Sequence, residues 1–260
     1  MQMNLAGKKV LIFGLLTDDS IAYSCAEAAM GQGAEVLLAN APGRPTSLMQ
    51  RIAKRLPEEP VACLSADVTE PEQLQKLGED VGAIWDRVDA VLHAVAFAPP
   101  AALGGNFLKT EWADVATAMH VSAYSVKALT VSLLPLLEKA GRASVVSLTF
   151  DATVAWPVYD WMGPTKAALE SITRYLARDL GPSGIRVNAV DSGPIRSMAG
   201  KSIPGFDQLA DAWPDRAPLG WDTKDSTPVA DTVAFLFSDA SRMITGQVIH
   251  VDGGYGVVGA

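Results

Sequence analysis

Cysteine is nearly absent. The 260 residues hold two, Cys25 and Cys63, far apart and each in an apolar context. That excludes a disulfide scaffold and reads as buried free thiols in a reducing compartment. The three histidines, His93, His120 and His250, show no metal-ligand spacing, so no metal site is expected. Basic residues are outnumbered: 21 Lys and Arg face 29 Asp and Glu, and the net charge of −8 argues against a nucleic-acid partner. No apolar run approaches the roughly 20 residues of a membrane span. The start, MQMNLAGKKVLIFG, runs into a strand and a turn with no cleavage site, so neither a membrane anchor nor a signal peptide is expected. Internal repeats, low-complexity tracts and linkers are also missing. With 49% apolar and 19% charged residues, the composition is that of a soluble globular protein, expected in the cytoplasm and large enough for a full core.

What is present is a rhythm. Short apolar runs at 9–14, 34–40, 61–67, 88–97, 143–150, 185–190 and 247–251 alternate with helical stretches near 20–33, 47–56, 70–85, 111–138, around Lys166 and at 228–238. The runs are continuous rather than alternating, so both faces of each strand are buried, as in a parallel sheet with right-handed crossovers. The expected fold is α/β: a single domain over 1–260, a doubly wound Rossmann-type sheet of about seven parallel strands with helices on both faces. Pro135 marks either the end of the 111–138 helix or a kink in it. Residues 196–226 break the rhythm, with Gly200, Pro204, Gly205, Pro214, Pro218 and Gly220 and no clear strand. A stretch of that length after a strand's C-terminal end reads as a lid over a ligand, or else as a plain surface excursion.

The first crossover is the place for a dinucleotide. Strand one ends at Gly14 and the next helix opens at Ser20-Ile21-Ala22, where a tight turn and a helix N-terminus suit a pyrophosphate. The G-x-G-x-x-G fingerprint is absent, and Ser20 reads equally well as a helix cap. Asp67-Val68 after strand three suits an adenine, the carboxylate accepting from its amine and the valine packing on the ring; Asp67 also reads as a cap. Ala94-Val95-Ala96 end strand four with small side chains, which lets a ribose approach the backbone. At the end of strand two, where NAD sites place an acid and NADP sites a nearby arginine, stands Asn40, with Arg44 four residues on. With no cation at the strand end itself, NADH is favoured over NADPH.

Just after the fifth run comes FDATVAWPVYDWMGPTK, with Tyr159 and Lys166 seven residues apart. On a helix that is two turns, so both side chains share a face. A phenol and an ammonium together beside a nucleotide-binding sheet suit hydride chemistry. Pro164 lies between them, so the helix either begins late or kinks.

Gly14 with Ser-Ile-Ala at 20–22, Asp67-Val68, HAVAFAP at 93–99, FD ahead of YDWMGPTKAALES at 159–171, GPIRS at 193–197 and GQVIHVDGG at 246–254 together carry a resemblance. The chain resembles, nearly end to end, a short-chain dehydrogenase/reductase of the NADH-dependent enoyl-[acyl-carrier-protein] reductase type, nearest the branch that includes the isoniazid target. The resemblance implies that Tyr159 hydrogen-bonds a thioester carbonyl, that Lys166 holds the nicotinamide ribose hydroxyls, and that Phe150 lies beside the transferred hydride. It also implies cofactor contacts from Gly14, Ser20, Ile21, Asn40, Asp67, Val68, Val95, Ala96, Lys166, Ile195 and Ser197. An acyl carrier protein bearing the substrate, a homotetramer, and a place in type II fatty acid synthesis follow from the same source. The chain departs from the family at Ala94 and Ala96, where Ser and Gly are frequent, and at Asp191, where small or neutral residues are common and a charge needs a partner. Its 196–226 segment is shorter than in the long-chain branch.

The tyrosine spacing fits the implied chemistry. A ketone reductase delivers hydride to the carbon bearing the oxygen, and its tyrosine usually lies four residues before the lysine. An enoyl thioester takes hydride at C3 while charge builds on the C1 oxygen, so the phenol must reach farther; three more residues move it by about 5 Å along a helix axis. Met162 holds the nearer position and can do no acid chemistry. The rivals are a carbonyl reductase on the same fold and a nucleotide-binding protein without catalysis. Trp156, Trp161 and Phe97 are candidates for an acyl pocket or for core. Arg196, Lys201 and Arg216 are candidates for docking an acidic carrier protein.

Overall fold

The computed structural model describes residues 3–43 and 46–259. All seven expected strands form: β1 Lys9–Phe13, β2 Glu35–Asn40, β3 Cys63–Ser65, β4 Ala90–His93, β5 Ala143–Thr149, β6 Ile185–Ser192 and β7 Val248–Val251. They make one sheet in the order β3-β2-β1-β4-β5-β6-β7, and every pairing is parallel.

The continuous apolar runs have a direct structural cause. Successive side chains of a strand point to opposite faces, and here each face meets its own core. Val10 and Ile12 of β1, Val36 and Leu38 of β2 and Leu92 of β4 enter one core with α1 (Ile21–Gly31) and residues of the helix Thr227–Phe237. Leu11 and Phe13, Leu37 and Ala39, and Val91 enter the other. That second core is completed by the helices Pro71–Ile84, Ser125–Ser132 and Met162–Leu180.

In chain order the remaining helices are α2 Thr46–Ala53, α3 Pro71–Ile84, α4 Trp112–Met119, α5 Ser125–Ser132, α6 Leu134–Ala140, α7 Met162–Leu180, α8 Met198–Lys201, α9 Phe206–Arg216 and α10 Thr227–Phe237. The helix expected over 111–138 is therefore three pieces. A single π-helical turn, His120–Tyr124, joins α4 to α5, and the axis bends by 63° before α6. Pro135 causes the bend: it has no N–H to continue α5 and instead sits in the first turn of α6, where that loss costs nothing. The π turn places Ser122 and Ser125 at the end of β4, where Ser122 Oγ bonds the backbone of Phe97 and Ser125 Oγ lies 2.7 Å from His93 Nε2. No single helix among the described residues is long and apolar enough to cross a membrane.

The chain leaves β1 toward β3 and returns to β4, so the crevice between β1 and β4 opens at their C-terminal ends, where ligands of open α/β sheets bind. Gly14 closes that end of β1 with φ +111°, and a Cβ there would lie 2.2 Å from the Ala94 carbonyl oxygen. Gly14→Ala is expected to destabilise the fold by at least about 2 kcal/mol, through the positive φ and the backbone clash. A thermal melt checks it; an unchanged midpoint would contradict this account of the turn.

Candidate active site

Tyr159 is not on the helix. α7 begins at Met162, and Tyr159 precedes it in a turn. The shared-face geometry expected from the spacing is thus corrected: Pro164 sits in the first helical turn, and the chain upstream of it has left the helical path. That turn is unusual. Val158 (φ 59°) and Asp160 (φ 43°), on either side of Tyr159, both have left-handed backbone. Asp adopts this region more readily than most residues, but a β-branched valine there is a true outlier. The surroundings impose it. The Asp160 carboxylate accepts from the Gly105 and Asn106 amides at 2.7 and 2.8 Å. Gly104 N–H donates to the Val158 carbonyl at 2.9 Å, and Trp161 N–H donates to Ala102 O at 3.2 Å. Four bonds to residues 102–106 therefore hold the turn that aims Tyr159.

The phenol is buried and packs edge-on against Phe150, with ring centroids 5.2 Å apart. No described residue hydrogen-bonds its hydroxyl. Burial, reinforced by the charge of Asp191, pushes its pKa up, so it stays a donor. Lys166, the fifth residue of α7, is also buried, and its Nζ donates to the Leu148 carbonyl at 3.0 Å. Burial lowers its pKa to about 8, against the opposing charges of Glu170 and Asp191. At the end of β4, His93 is neutral: burial first, and then the Lys166 charge, bring its pKa down to about 3. The end of β5 thus gathers Phe150, Tyr159 and Lys166, two of them proton donors that burial leaves short of partners.

The crevice side is built as follows. Ser20 caps α1, accepting from Tyr23 N–H at 3.2 Å and donating to Thr17 O at 2.6 Å, and Ile21 opens the helix. The capping reading of Ser20 is therefore correct, and it stands at the helix N-terminus as a pyrophosphate site requires. Asn40 is buried, its side chain donating to Leu15 O and accepting from Ala41 N–H, both at 2.9 Å. Those bonds tie the β2 end to the loop after β1 and use one N–H and one acceptor site of the amide, leaving one of each. Arg44 lies outside the described residues. Asp67 Oδ1 accepts from Thr69 N–H and Oγ1, which leaves Oδ2 open, and Val68 is buried beneath. The cap of α3 is Glu70, not Asp67. Val95 is half-buried and Ala96 exposed. Ile195 is buried, and Ser197 caps α8 through Gly200 N–H at 3.2 Å.

Segment 196–226 has no strand, as expected, and folds as α8 and α9. It lies against the Tyr159 turn: at Gly205 a Cβ would sit 3.1 Å from the Val158 side chain. Trp213 of α9 stacks on Tyr255 at 3.7 Å and meets Trp156 and Phe150 in an aromatic wall. Trp156 is thereby half-buried wall, Trp161 stacks on Phe107 at 4.8 Å, and Phe97 is exposed. The three basic residues do not form a patch. Arg196 is paired with Asp207 and Asp211 of α9, and Arg216 lies over the Tyr255 ring and donates to Val258 O at 2.7 Å. Lys201 is exposed and 3.6 Å from Asp19.

Two features escaped the sequence reading. Nothing local marks Asp160 as a clamp, because the amides that donate to it lie some fifty residues upstream. Asp191 has the partner it needs in His250, whose Nδ1 is 2.6 Å from Oδ2. That pair was findable, since aligning IRVNAVD with QVIHV as parallel neighbours puts the two in register.

Asp160→Ala is expected to speed amide hydrogen exchange at Gly105 and Asn106 by about 10–100-fold, the worth of a charge-assisted bond. Asp160→Asn, which keeps an acceptor oxygen and tolerates the left-handed backbone, should give a smaller change. Equal exchange in all three proteins would show that the clamp does not exist.

Comparison with known proteins agrees with this geometry. Residues 14–256 match the family described as Enoyl-(Acyl carrier protein) reductase. The chain is 40% identical over 264 residues to the NADH enoyl-(acyl-carrier-protein) reductase of Mycolicibacterium smegmatis, covering 96% of each chain. It is 39% identical to that of Mycobacterium avium, again over 96% of each. With the Aquifex aeolicus enzyme it shares 37% identity over 98% of this chain and 93% of the other. With the parallel seven-stranded sheet, the Tyr159–Lys166 pair and these full-length matches together, the chain belongs to the enoyl-(acyl carrier protein) reductase family.

Proposed function

We propose that the chain reduces the C2–C3 double bond of trans-2-enoyl thioesters carried by an acyl carrier protein, with NADH as reductant, and that Tyr159 and Lys166 are its working groups. The observation that carries the reading is a buried phenol, kept protonated and bonded to no described residue, at the end of the strand that Lys166 reaches. A reductase of this class needs a donor at that place for the oxygen that gains charge. Met162, nearer the lysine, is buried and has no proton to give, which weighs against carbonyl reduction.

The residues fit a dinucleotide. Gly14 leaves a cradle that a Cβ would fill, Ser20 presents a helix N-terminus, and Lys166 is a buried ammonium whose only described hydrogen bond is to a carbonyl. Gly14, Ser20, Ile21, Asn40, Asp67, Val68, Val95, Ala96, Ile195 and Ser197 would line its site, Asn40 also fixing the β2 end. The cofactor, when bound, supplies a hydride to the β-carbon of the enoyl group. Lys166 orients the ribose by hydrogen bonds and adds positive potential. Tyr159 donates to the thioester oxygen as charge develops there, from a water-poor pocket where such a bond is strong. Phe150 walls the pocket beside it, and residues 196–226 act as the lid. The 1–260 chain works as one unit, in a homotetramer, in the cytoplasm, serving type II fatty acid synthesis. Carrier docking rests on Lys201 rather than on Arg196 or Arg216, which are engaged within the fold.

Tyr159→Phe is expected to lower kcat by about 10²–10³, equivalent to about 2.7–4 kcal/mol, with little change in NADH Kd. Lys166→Ala should raise that Kd by about 10–100-fold. Steady-state kinetics with an enoyl thioester and fluorescence titration of NADH separate the two; equal losses of both properties in both variants would refute the assigned roles. NADPH should be a poorer reductant than NADH in the same assay. Because the Lys166 ammonium titrates at about 8, NADH affinity should be flat at and below neutral pH and fall as pH rises through that value. An affinity that instead rises with pH would contradict a cationic role.

A further inference from the structure

Beneath α7 the ends of three neighbouring strands carry a row of polar side chains. Thr149 of β5, Asp191 of β6 and His250 of β7 are in register. Thr149 Oγ1 donates to Glu170 of α7 at 3.1 Å, and Glu170 is one helical turn beyond Lys166. Asp191 is 2% exposed, whereas the His250 side chain is half in solvent. A buried carboxylate needs donors. The other two buried acids at this end find them in their own turns: Asp151 accepts from Thr153, and Asp252 from the Gly254 and Gly256 amides. Among the described residues Asp191 accepts from His250 alone.

We propose that Asp191, kept ionised by His250, is a positioning residue of the reaction: a fixed negative charge beneath α7 that holds Lys166 as an ammonium and Tyr159 as a phenol. This rests on the reading of Lys166 as a cofactor ligand. The charge of Asp191 bears on both groups, favouring the protonated form of each. Glu170, half-buried and bonded to Thr149, acts on Lys166 more strongly than Asp191 does, but it does not figure among the charges acting on Tyr159, so Asp191 is the acid that bears on both groups. The titratable and charged groups around Asp191 are Lys166, Glu170 and, beside Glu170, Arg174 on α7; Tyr159 in the turn; Asp151 after β5; and His250 and Asp252 on and after β7. His93 of β4 faces Lys166 and is neutral. His250 donates from Nδ1 whether imidazolium or neutral imidazole, so the support it gives Asp191 outlasts its own titration. Burial drives Asp191 toward protonation, and the His250 bond opposes that drive.

The test is fluorescence titration of NADH without substrate, from about pH 6 to about pH 10, a window that spans the lysine range. Asp191→Asn should move the alkaline fall in affinity down by about one pH unit. That is about tenfold weaker binding at about pH 9 with little change at about pH 6. His250→Phe should move it in the same direction, while His250→Asn, with an N–H near the Nδ1 position, should leave it in place. The Asp191→Asn, His250→Phe double variant should move no farther than Asp191→Asn alone. A limb that stays put in Asp191→Asn, a loss equal at every pH, or additive shifts would overturn the proposal. If Asp191→Asn does not fold, the two substitutions at half-exposed His250 decide it. Lys166→Ala separates the layers. Weak, pH-independent binding in that variant with an unmoved Asp191→Asn limb sinks this inference only. Wild-type binding in Lys166→Ala sinks the cofactor reading as well.

Discussion

Tyr159 is aimed by a stretch of backbone that would not adopt its shape alone. Left-handed conformations at Val158 and Asp160 cost free energy, on the order of 1–3 kcal/mol each, and are repaid from outside the turn. The Asp160 carboxylate and the Val158 and Trp161 backbone groups are all bonded to residues 102–106. Gly205 then approaches Val158 from the α8–α9 side. The phenol is therefore placed by two segments distant in sequence, and α7 supplies only the lysine.

Burial sets the chemistry of that pair. Removing water from a phenol and an ammonium pushes their proton affinities in opposite directions: the tyrosine up, the lysine down to about 8. Left to burial alone, Lys166 would be still easier to deprotonate. Glu170 of α7 and Asp191 of the sheet counter this, and the second is held by an exposed histidine of β7. The same carboxylate favours the donor form of both groups, so one buried charge serves the cation and the phenol together.

The fold was legible because both faces of a parallel sheet are buried, which writes each strand as an uninterrupted apolar run. Val10 to Phe13 shows this most simply, with alternate residues entering separate cores. Pro135 was legible as the end of, or a kink in, the helix over 111–138, because its missing N–H acts locally; the π turn at 120–124 was not, because Ser122 is tied to the Phe97 backbone only by the tertiary structure. Ser20 was legible as a cap and Gly14 as a tight turn because each acts on its immediate neighbours. That Asn40 ties the β2 end to the loop after β1 was not legible, because its partner Leu15 is 25 residues away in the chain. Arg196 and Arg216 looked free in the sequence because their partners, Asp207, Asp211 and Val258, are brought near by the packing of α9.

By itself the sequence determined the sheet, its direction, the crevice at the ends of β1 and β4, and the interval between phenol and ammonium. These follow from local burial pattern and chain spacing, which composition and order state directly. Only the tertiary structure decided where the phenol points, which basic groups are engaged, and what partners Asp191. Each of those depends on contacts between residues tens of positions apart, whose pairing is created by the packed sheet and helices rather than by any one segment.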